Sequence, residues 1–431
     1  MSAAVGYAAG DTAWHENNNP LATADQLAAE KLAVEIVGSG ALKQARADLK
    51  TQWMKSAAAV APVSAESLTY LEQALDETVF AQTLSSINTD AHYPKIISTL
   101  AGAHTWFGVA VPGYRTLLDN PDTIYRTVPL DPAASYVITG AMSAHPPVDA
   151  NFSVWDGRNK TLANLTQEQL IVDASGNFTI DISAAEFSGK GNHLPLAPTA
   201  TKLFVRNTIN DWGVQQFLSL QVARVSGPQI PPAKSVEQLT AQAAQAVREV
   251  APVFDYYTKL SYAQPVNTLP PVSLGGSAGR LATQVATYSA FNIADDEALI
   301  VTLNTGGAKY FIAPVYTRWM TTTQFVGRTQ TLNNRQALAN PDGTYTLVIS
   351  VTDPKIYNWI DTAGLHEGLF NLRWQALPAT PADALPAATM QHVKLSDLPK
   401  VLPVGTRYVT PAQREAQRAE RVKSYTPRYM P

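Results

Sequence analysis

The segment Asn120-Pro121-Asp122-Thr123-Ile124-Tyr125-Arg126, with Leu130-Asp131-Pro132 close behind, places a carboxylate, a phenol and a guanidinium within a few residues of one another. Such a group supplies an acid, a base or a hydrogen-bond anchor at a pocket rim. The same pattern also suits a turn in which Asp122 accepts backbone N–H groups where a strand begins. Tyr125 and Arg126 then point to opposite faces of that strand, because strand side chains alternate.

A second cluster is Arg206, Asn210, Asp211 and Trp212, matched later in the chain by Arg373 and Trp374. An arginine on a strand beside aromatic rings clamps a carboxylate, sulfate or phosphate through two parallel hydrogen bonds, or stacks on tryptophan. Pairing with Asp211 to hold two strands together is the alternative. His366 and Glu367 close a loop rich in chain breakers, Asn358 to Gly368, where an imidazole titrating near neutrality serves as a general base. None of the seven histidines forms a His-x-His or His-x-x-x-His pair, so a metal would need His104, His145, His193 and distant carboxylates; no metal is expected. Gly275-Gly276-Ser277-Ala278-Gly279 matches a nucleophile elbow, and Asp342, Asp353 or Asp361 followed by His366 or His392 would complete a Ser–Asp–His order. The strand–helix alternation that makes an elbow work is missing around it. No Gly-x-Gly-x-x-Gly or Gly-x-x-x-x-Gly-Lys-Ser/Thr occurs, so no nucleotide cofactor is expected.

The elements that must position these groups come from a chain of 431 residues, 45% hydrophobic and 16% charged, with 32 basic and 35 acidic side chains and a net charge of −3. That length suggests two or three domains with sizeable cores. Without a stripe of Lys and Arg, nucleic acid and anionic membranes are unlikely partners. The absence of cysteine excludes disulfides, zinc–thiolate sites, iron–sulfur clusters and a thiol nucleophile. No apolar run reaches about 18 residues, so no membrane span is expected. The N-terminus has neither a cationic start nor a long apolar stretch, which predicts a cytoplasmic protein.

Apolar spacing predicts helices from Thr23 to about Ser56, interrupted at Gly38-Ser39-Gly40, from Ser64 to Ser86, and from Ser235 to about Leu260. Short runs rich in Val, Ile, Thr, Tyr and Phe between turn residues predict strands from about Pro112 to Pro228 and from Ala298 to Gln375. The segment Pro411 to Tyr425 reads as a polar, Arg-rich helix or a disordered end. The two strand regions look like copies. Trp155, Asn164, Asp173, Gly176 and Phe178-Thr179-Ile180 in the first correspond in order to Trp319, Asn333, Asp342, Gly343 and Tyr345-Thr346-Leu347 in the second, and Leu203-Phe204-Val205-Arg206 to Leu369-Phe370-Asn371-Leu372-Arg373. Tyr310, Phe311, Tyr316, Trp319 and Phe325 read as core, some of them lining an apolar pocket.

The Asn120-to-Asp131 motif resembles the N-x-D-T-x-Y…L-D signature of the bacterial family called domain of unknown function 1254. Thr331-Leu332-Asn333, Asp342-Gly343, Asp353-Pro354, Asn358-Trp359 and Leu372-Arg373 resemble its companion, domain of unknown function 1214. The chain departs from the common pattern in having Ile360-Asp361 after the tryptophan. The resemblance implies β-sandwich or jelly-roll modules with helical additions, and no chemistry.

These readings together predict a mainly β, α+β chain. Residues 1–111 form a helical N-terminal region, 112–230 a first β-sandwich-like module, 231–290 a helical linker, 291–400 a second module and 401–431 a tail. The expected function is a cofactor-independent enzyme of hydrolase or lyase type acting on a small organic molecule, with Tyr125, Asp122, Arg206 and His366 catalytic. Asn120, Arg126, Trp212, Trp319, Asn333 and Arg373 bind the ligand. A carbohydrate- or lipid-binding protein and a hydrolase built on Ser277 are the alternatives, and self-association as a homo-oligomer is left open.

Overall fold

The computed structural model describes residues 21–187, 189–275, 281, 283–378 and 385–429. The Thr23 hydroxyl accepts the Gln26 N–H and starts α1 (Ala24–Gly38), and a turn through the expected Gly-Ser-Gly leads into α2 (Lys43–Val60). Ser64 caps α3 (Ala65–Thr69), which breaks at Tyr70 before α4 (Leu71–Ile87). Ser235 and Gln238 cap α5 (Val236–Glu249) reciprocally. The sequence predicts one helix on to about Leu260, but Pro252 lacks an N–H and crowds the carbonyl four residues back, so a separate α6 (Ala251–Ser261) follows.

The strands are β1 (Ile97–Ser98), β2 (His104–Trp106), β3 (Val109–Val111), β4 (Thr123–Pro129), β5 (Ser135–Ala141), β6 (Asp149–Asp156), β7 (Thr161–Thr166), β8 (Asn177–Ser183), β9 (Asn192–Pro195), β10 (Ala200–Thr208) and β11 (Ser219–Ser226). After α6 come β12 (Ser273–Leu274), β13 (Val285–Asn292), β14 (Glu297–Leu303), β15 (Tyr310–Tyr316), β16 (Thr331–Asn333), β17 (Tyr345–Ser350), β18 (Trp359–Asp361), β19 (Glu367–Gln375) and β20 (Ala388–Lys394). A short α7 (Leu398–Val401) and a long α8 (Pro411–Tyr429) close the chain. The fold is α+β, dominated by mostly antiparallel sheets.

The strand orders repeat. In the first half a five-stranded sheet runs β1-β4-β10-β6-β7 and a four-stranded sheet β11-β5-β8-β9; in the second half the orders are β12-β13-β19-β15-β16 and β20-β14-β17-β18. The correspondence extends to the exceptions, because β8–β9 and β17–β18 pair in parallel. It also extends to one side chain. Asn192 accepts the Ile171 N–H and donates to the carbonyls of Ile171 and Thr179, and Asn358 repeats this with Leu338, Leu338 and Thr346.

In each half the two sheets face one another across a common core. Ile138 and Ile180 meet Val128, Phe152 and Val205 in the first, and Val301 and Ile349 meet Phe311, Val315 and Leu372 in the second. Since side chains alternate along a strand, the neighbours of these residues occupy the outer faces of the five-stranded sheets. Helices cover the second such face: Trp53 of α2 stacks on Phe254 of α6, ring centroids 4.4 Å apart, over Tyr288, Tyr316 and Trp319.

Two expectations need correction, and one alternative is decided. The stretch 231–290 is not wholly helical, because β12 and most of β13 belong to the second five-stranded sheet; likewise β1 to β3 lie within 1–111. Of the two alternatives for Pro411 to Tyr425 the helix is the one found, and it is docked: Arg414 pairs with Asp353 and Tyr425 is fully buried. Trp155 and Trp319 are not equivalent, since Trp155 lies within β6 whereas Trp319 follows the corresponding β15.

Candidate functional site

A cavity of about 560 Å³ lies between the halves, within the usual size range of small-molecule sites. The outer face of the first five-stranded sheet forms one wall. Along β10 the alternation sends Leu203 and Val205 into the core and Lys202, Phe204 and Arg206 to the cavity. Register then places Tyr125 of β4 beside Arg206 and Trp155 of β6 beside Lys202. Helices α4, α5 and α6 contribute Ala81, Ala246, Val253 and Tyr257, and the second sheet contributes Tyr288 and Arg373. Exposed Arg158 and Glu249 mark the rim.

The aromatic side chains form one surface. Trp155 and Phe204 stack at 4.3 Å, and the Arg206 guanidinium lies 4.6 Å from the Phe204 ring centre, 5.1 Å from Trp155 and 5.9 Å from Tyr125. Burial among rings disfavours charge and lowers Arg206 to about 10, a value at which it stays charged at neutral pH. Lys202 lies 5.3 Å from the Trp155 ring centre and donates to the Asn159 side-chain oxygen at 2.7 Å. Burial, reinforced by the Arg206 charge, lowers it to about 8. Burial raises the Tyr125 phenol, which therefore holds its proton at neutral pH and is a donor there.

Arg373 shapes the wall rather than simply facing it. It occupies the seventh place of the nine-residue β19, as Arg206 does in the nine-residue β10. Its guanidinium donates to the Leu118 carbonyl and Asn371 Oδ1, and to the Tyr316 hydroxyl at 2.9 Å. Leu117 and Leu118 both line the cavity with positive φ, 53° and 63°. Each such residue costs about 1–3 kcal/mol and persists only where its surroundings impose it. Here Arg373 holds the Leu118 carbonyl, and the Leu118 N–H donates to Met320 at 2.9 Å. Beside them, Asp119 lines the cavity with both oxygens engaged, by the N–H and the hydroxyl of Thr322.

Of the residues singled out from sequence, Tyr125, Arg206 and Arg373 meet at this cavity, and the rest lie elsewhere. Asp122 is fully buried, accepting from Trp212 Nε1 (2.8 Å), Tyr425 Oη (2.7 Å), Asn333 Nδ2 (2.6 Å) and Tyr310 Oη (3.3 Å). These donors come from both halves and from α8, so Asp122 ties three parts of the molecule together. It does not cap a turn: the Asn120 side chain does, accepting the Asp122 N–H. Burial pushes the Asp122 carboxyl up, against its hydrogen bonds. Asn120, Trp212 and Asn333 thus serve the same junction. Arg126 points away from Tyr125, as alternation requires, and bonds to Asn207 Oδ1 and the Leu218 carbonyl. Trp319 lies in the helical core and donates to the Ser67 carbonyl. His366 is on the surface, between Glu66 (2.8 Å) and Asp295 (3.1 Å); the Glu66 hydrogen bond, opposed by desolvation and aided by Asp295, raises its pKa. Asp211, offered as an alternative partner for Arg206, pairs with Arg335. Ser277 lies outside the described residues.

Sequence reasoning took Trp155 and Phe204 as repeat positions and not as walls, and missed Lys202, Tyr257 and Tyr288 altogether. The signal for two of them was available: Lys202, Phe204 and Arg206 alternate with Leu203 and Val205, which marks a strand whose second face is cationic and aromatic. Among the described residues no group of three or more His, Asp or Glu side chains is placed to hold a metal, and no helix is long and apolar enough to cross a membrane.

The chain is similar in structure to an uncharacterised protein from Burkholderia cenocepacia, with a TM-score of 0.68, 23% identity, and coverage of 85% of this chain and 100% of that one. It also matches a Vibrio parahaemolyticus protein with a TM-score of 0.43 and 11% identity, over 75% of this chain and 99% of that one. No family model matches the chain, and no curated protein does. The Burkholderia likeness speaks for the fold alone.

Proposed function

We propose that the protein binds a small organic molecule in the cavity between its halves and transforms it by side-chain acid–base chemistry. The observation that carries this reading is the convergence of Tyr125, Arg206 and Arg373, distant in sequence, on one cavity. Arg206 anchors the ligand. The protonated Tyr125 phenol donates, and Lys202, lowered to about 8, exchanges a proton near neutral pH. Arg373 is a positioning residue acting through the Leu117–Leu118 turn.

The matching strand orders and the Asn192–Asn358 correspondence support a further part of the reading, that two copies of one β-sandwich module arose by duplication and now enclose the site. On the motif residues given above, we also read the chain as related to the domain of unknown function 1254 and 1214 families, and as cytoplasmic.

The test is a screen of the purified protein against a defined metabolite library, read by mass spectrometry. A new mass formed by the native chain and absent with Tyr125→Phe, at unchanged melting temperature, is the expected result. Retention of an unchanged ligand in the cavity would instead make this a binding protein. Full activity of Tyr125→Phe would refute the assigned proton donor.

A further inference from the structure

We infer that the ligand is an organic carboxylate with an apolar, flat body, its carboxylate held by Arg206 and Lys202 beside the Trp155–Phe204 stack. The inference rests on the reading that this cavity is the ligand site.

Charge is the first argument. The chain as a whole is slightly acidic, with a net charge of −3. Its cavity is not: four cationic side chains, Arg158, Lys202, Arg206 and Arg373, face it against two carboxylates, Asp119 and Glu249. Asp119 is occupied by Thr322, and Glu249 is out at the exposed rim. Among the described residues Lys202 takes part in no ion pair, its ammonium being bonded to the neutral side chain of Asn159. Like charges gathered on one face of a strand raise the energy of the empty site, and an anion lowers it.

Shape and desolvation are the second. Both cations lie about 5 Å from the centre of the Trp155 ring, so an anion meeting them lies beside an aromatic surface. The rings displace water from the Arg206 guanidinium, and in such surroundings a charge-assisted hydrogen bond is stronger than in bulk water. The planar fork of arginine matches the two oxygens of a carboxylate. Arg373 is engaged by Leu118, Asn371 and Tyr316, and Arg158 lies at the exposed rim, so a phosphate dianion would meet only the Arg206 guanidinium and an ammonium already bonded to Asn159, fewer donors than its oxygens accept. The lining also carries Leu100, Leu117, Val250, Val253 and Leu281, which suit a hydrocarbon or aromatic body, interspersed with neutral polar groups such as Gln82, Thr99 and Gln284.

Isothermal titration of the full chain with 2-naphthoate, 2-naphthalenemethanol and 2-naphthyl phosphate tests this directly. We expect naphthoate to bind at least tenfold more tightly than either of the others, and Lys202→Met, which keeps the methylene chain, to weaken naphthoate at least tenfold while leaving the alcohol within twofold. Val253→Trp, which fills the cavity, abolishes binding of all three. Equal affinity for acid and alcohol, with both lost in Val253→Trp, would overturn the carboxylate assignment and keep the cavity. Tighter binding of the phosphate ester would overturn it as well. Binding that Val253→Trp leaves intact, or no binding of any probe, would overturn both the assignment and the reading of the cavity on which it stands.

Discussion

Replacing Lys202 by Met should stabilise the protein at neutral pH, although it deletes a hydrogen bond. The native ammonium is held at about 8 against 10.5 for a free lysine, chiefly by burial and then by Arg206. At about 1.4 kcal/mol per unit this is a ceiling of roughly 3 kcal/mol against folding. The side chain is only partly buried, so we take about two-thirds of that. Losing the bond to Asn159 and the contact with Trp155 gives back about 1 kcal/mol, leaving a net gain of about 1 kcal/mol at pH 7. The sign with pH follows from linkage. Between 8 and 10.5 the unfolded chain binds more protons at this position than the folded one, so this group's penalty is complete below about pH 8 and disappears as pH rises to about 10.5. Urea midpoints of both proteins at pH 7, 8.5 and 10 would show the variant's advantage shrinking and then reversing as the lost contacts dominate. A variant less stable at pH 7, or a difference that does not change with pH, would refute the account of Lys202 as a charge kept at a cost to stability.

Three further substitutions separate the site from its supports. Asp122→Ala leaves the Trp212 and Tyr425 donors without their acceptor and takes one of two acceptors from Tyr310 and Asn333, and should cost about 3 kcal/mol or more; a loss below about 1 kcal/mol in urea unfolding would contradict its role as a junction. His366→Ala should leave naphthoate affinity unchanged in titration, because the imidazole sits among Glu66 and Asp295 at the surface. Its raised pKa stabilises the fold fully below about 6.5 and ceases to do so as pH rises through the folded value, so the variant should lose that part of the pH profile. Arg373→Lys cannot reproduce the planar fork that sets Nε on Asn371 and Nη2 on Leu118 and Tyr316, and a marked rise in KM with a smaller change in kcat is expected once a substrate is known; an unchanged KM would speak against a positioning role.

Much of the fold was legible because its signals are local. Thr23, Ser64 and Ser235 each offer a side-chain oxygen to N–H groups within three residues, and Gly38 to Gly40 separate two helices wherever they pack. Period-two alternation marked the strands, and Tyr125 and Arg126 part to opposite faces for that reason alone. What a side chain then meets is not local. Asp122, read as a turn cap or a catalytic acid, found its partners 90, 188, 211 and 303 residues away. His366 was drawn to Glu66, which no spacing could pair with it.

The sequence by itself located the main helices and most of the strands, and its alternation held, unread, the fact that cationic and aromatic side chains share one face of β10. Only the tertiary structure decided that this face looks across a cavity at Arg373 and Tyr288 rather than at water. The physical reason is one of range: backbone propensity and alternation act over a few residues, whereas a cavity is bounded by whichever faces pairing and burial bring together, and Thr208 and Gln375, hydrogen-bonded at the ends of the two central strands, are 167 residues apart.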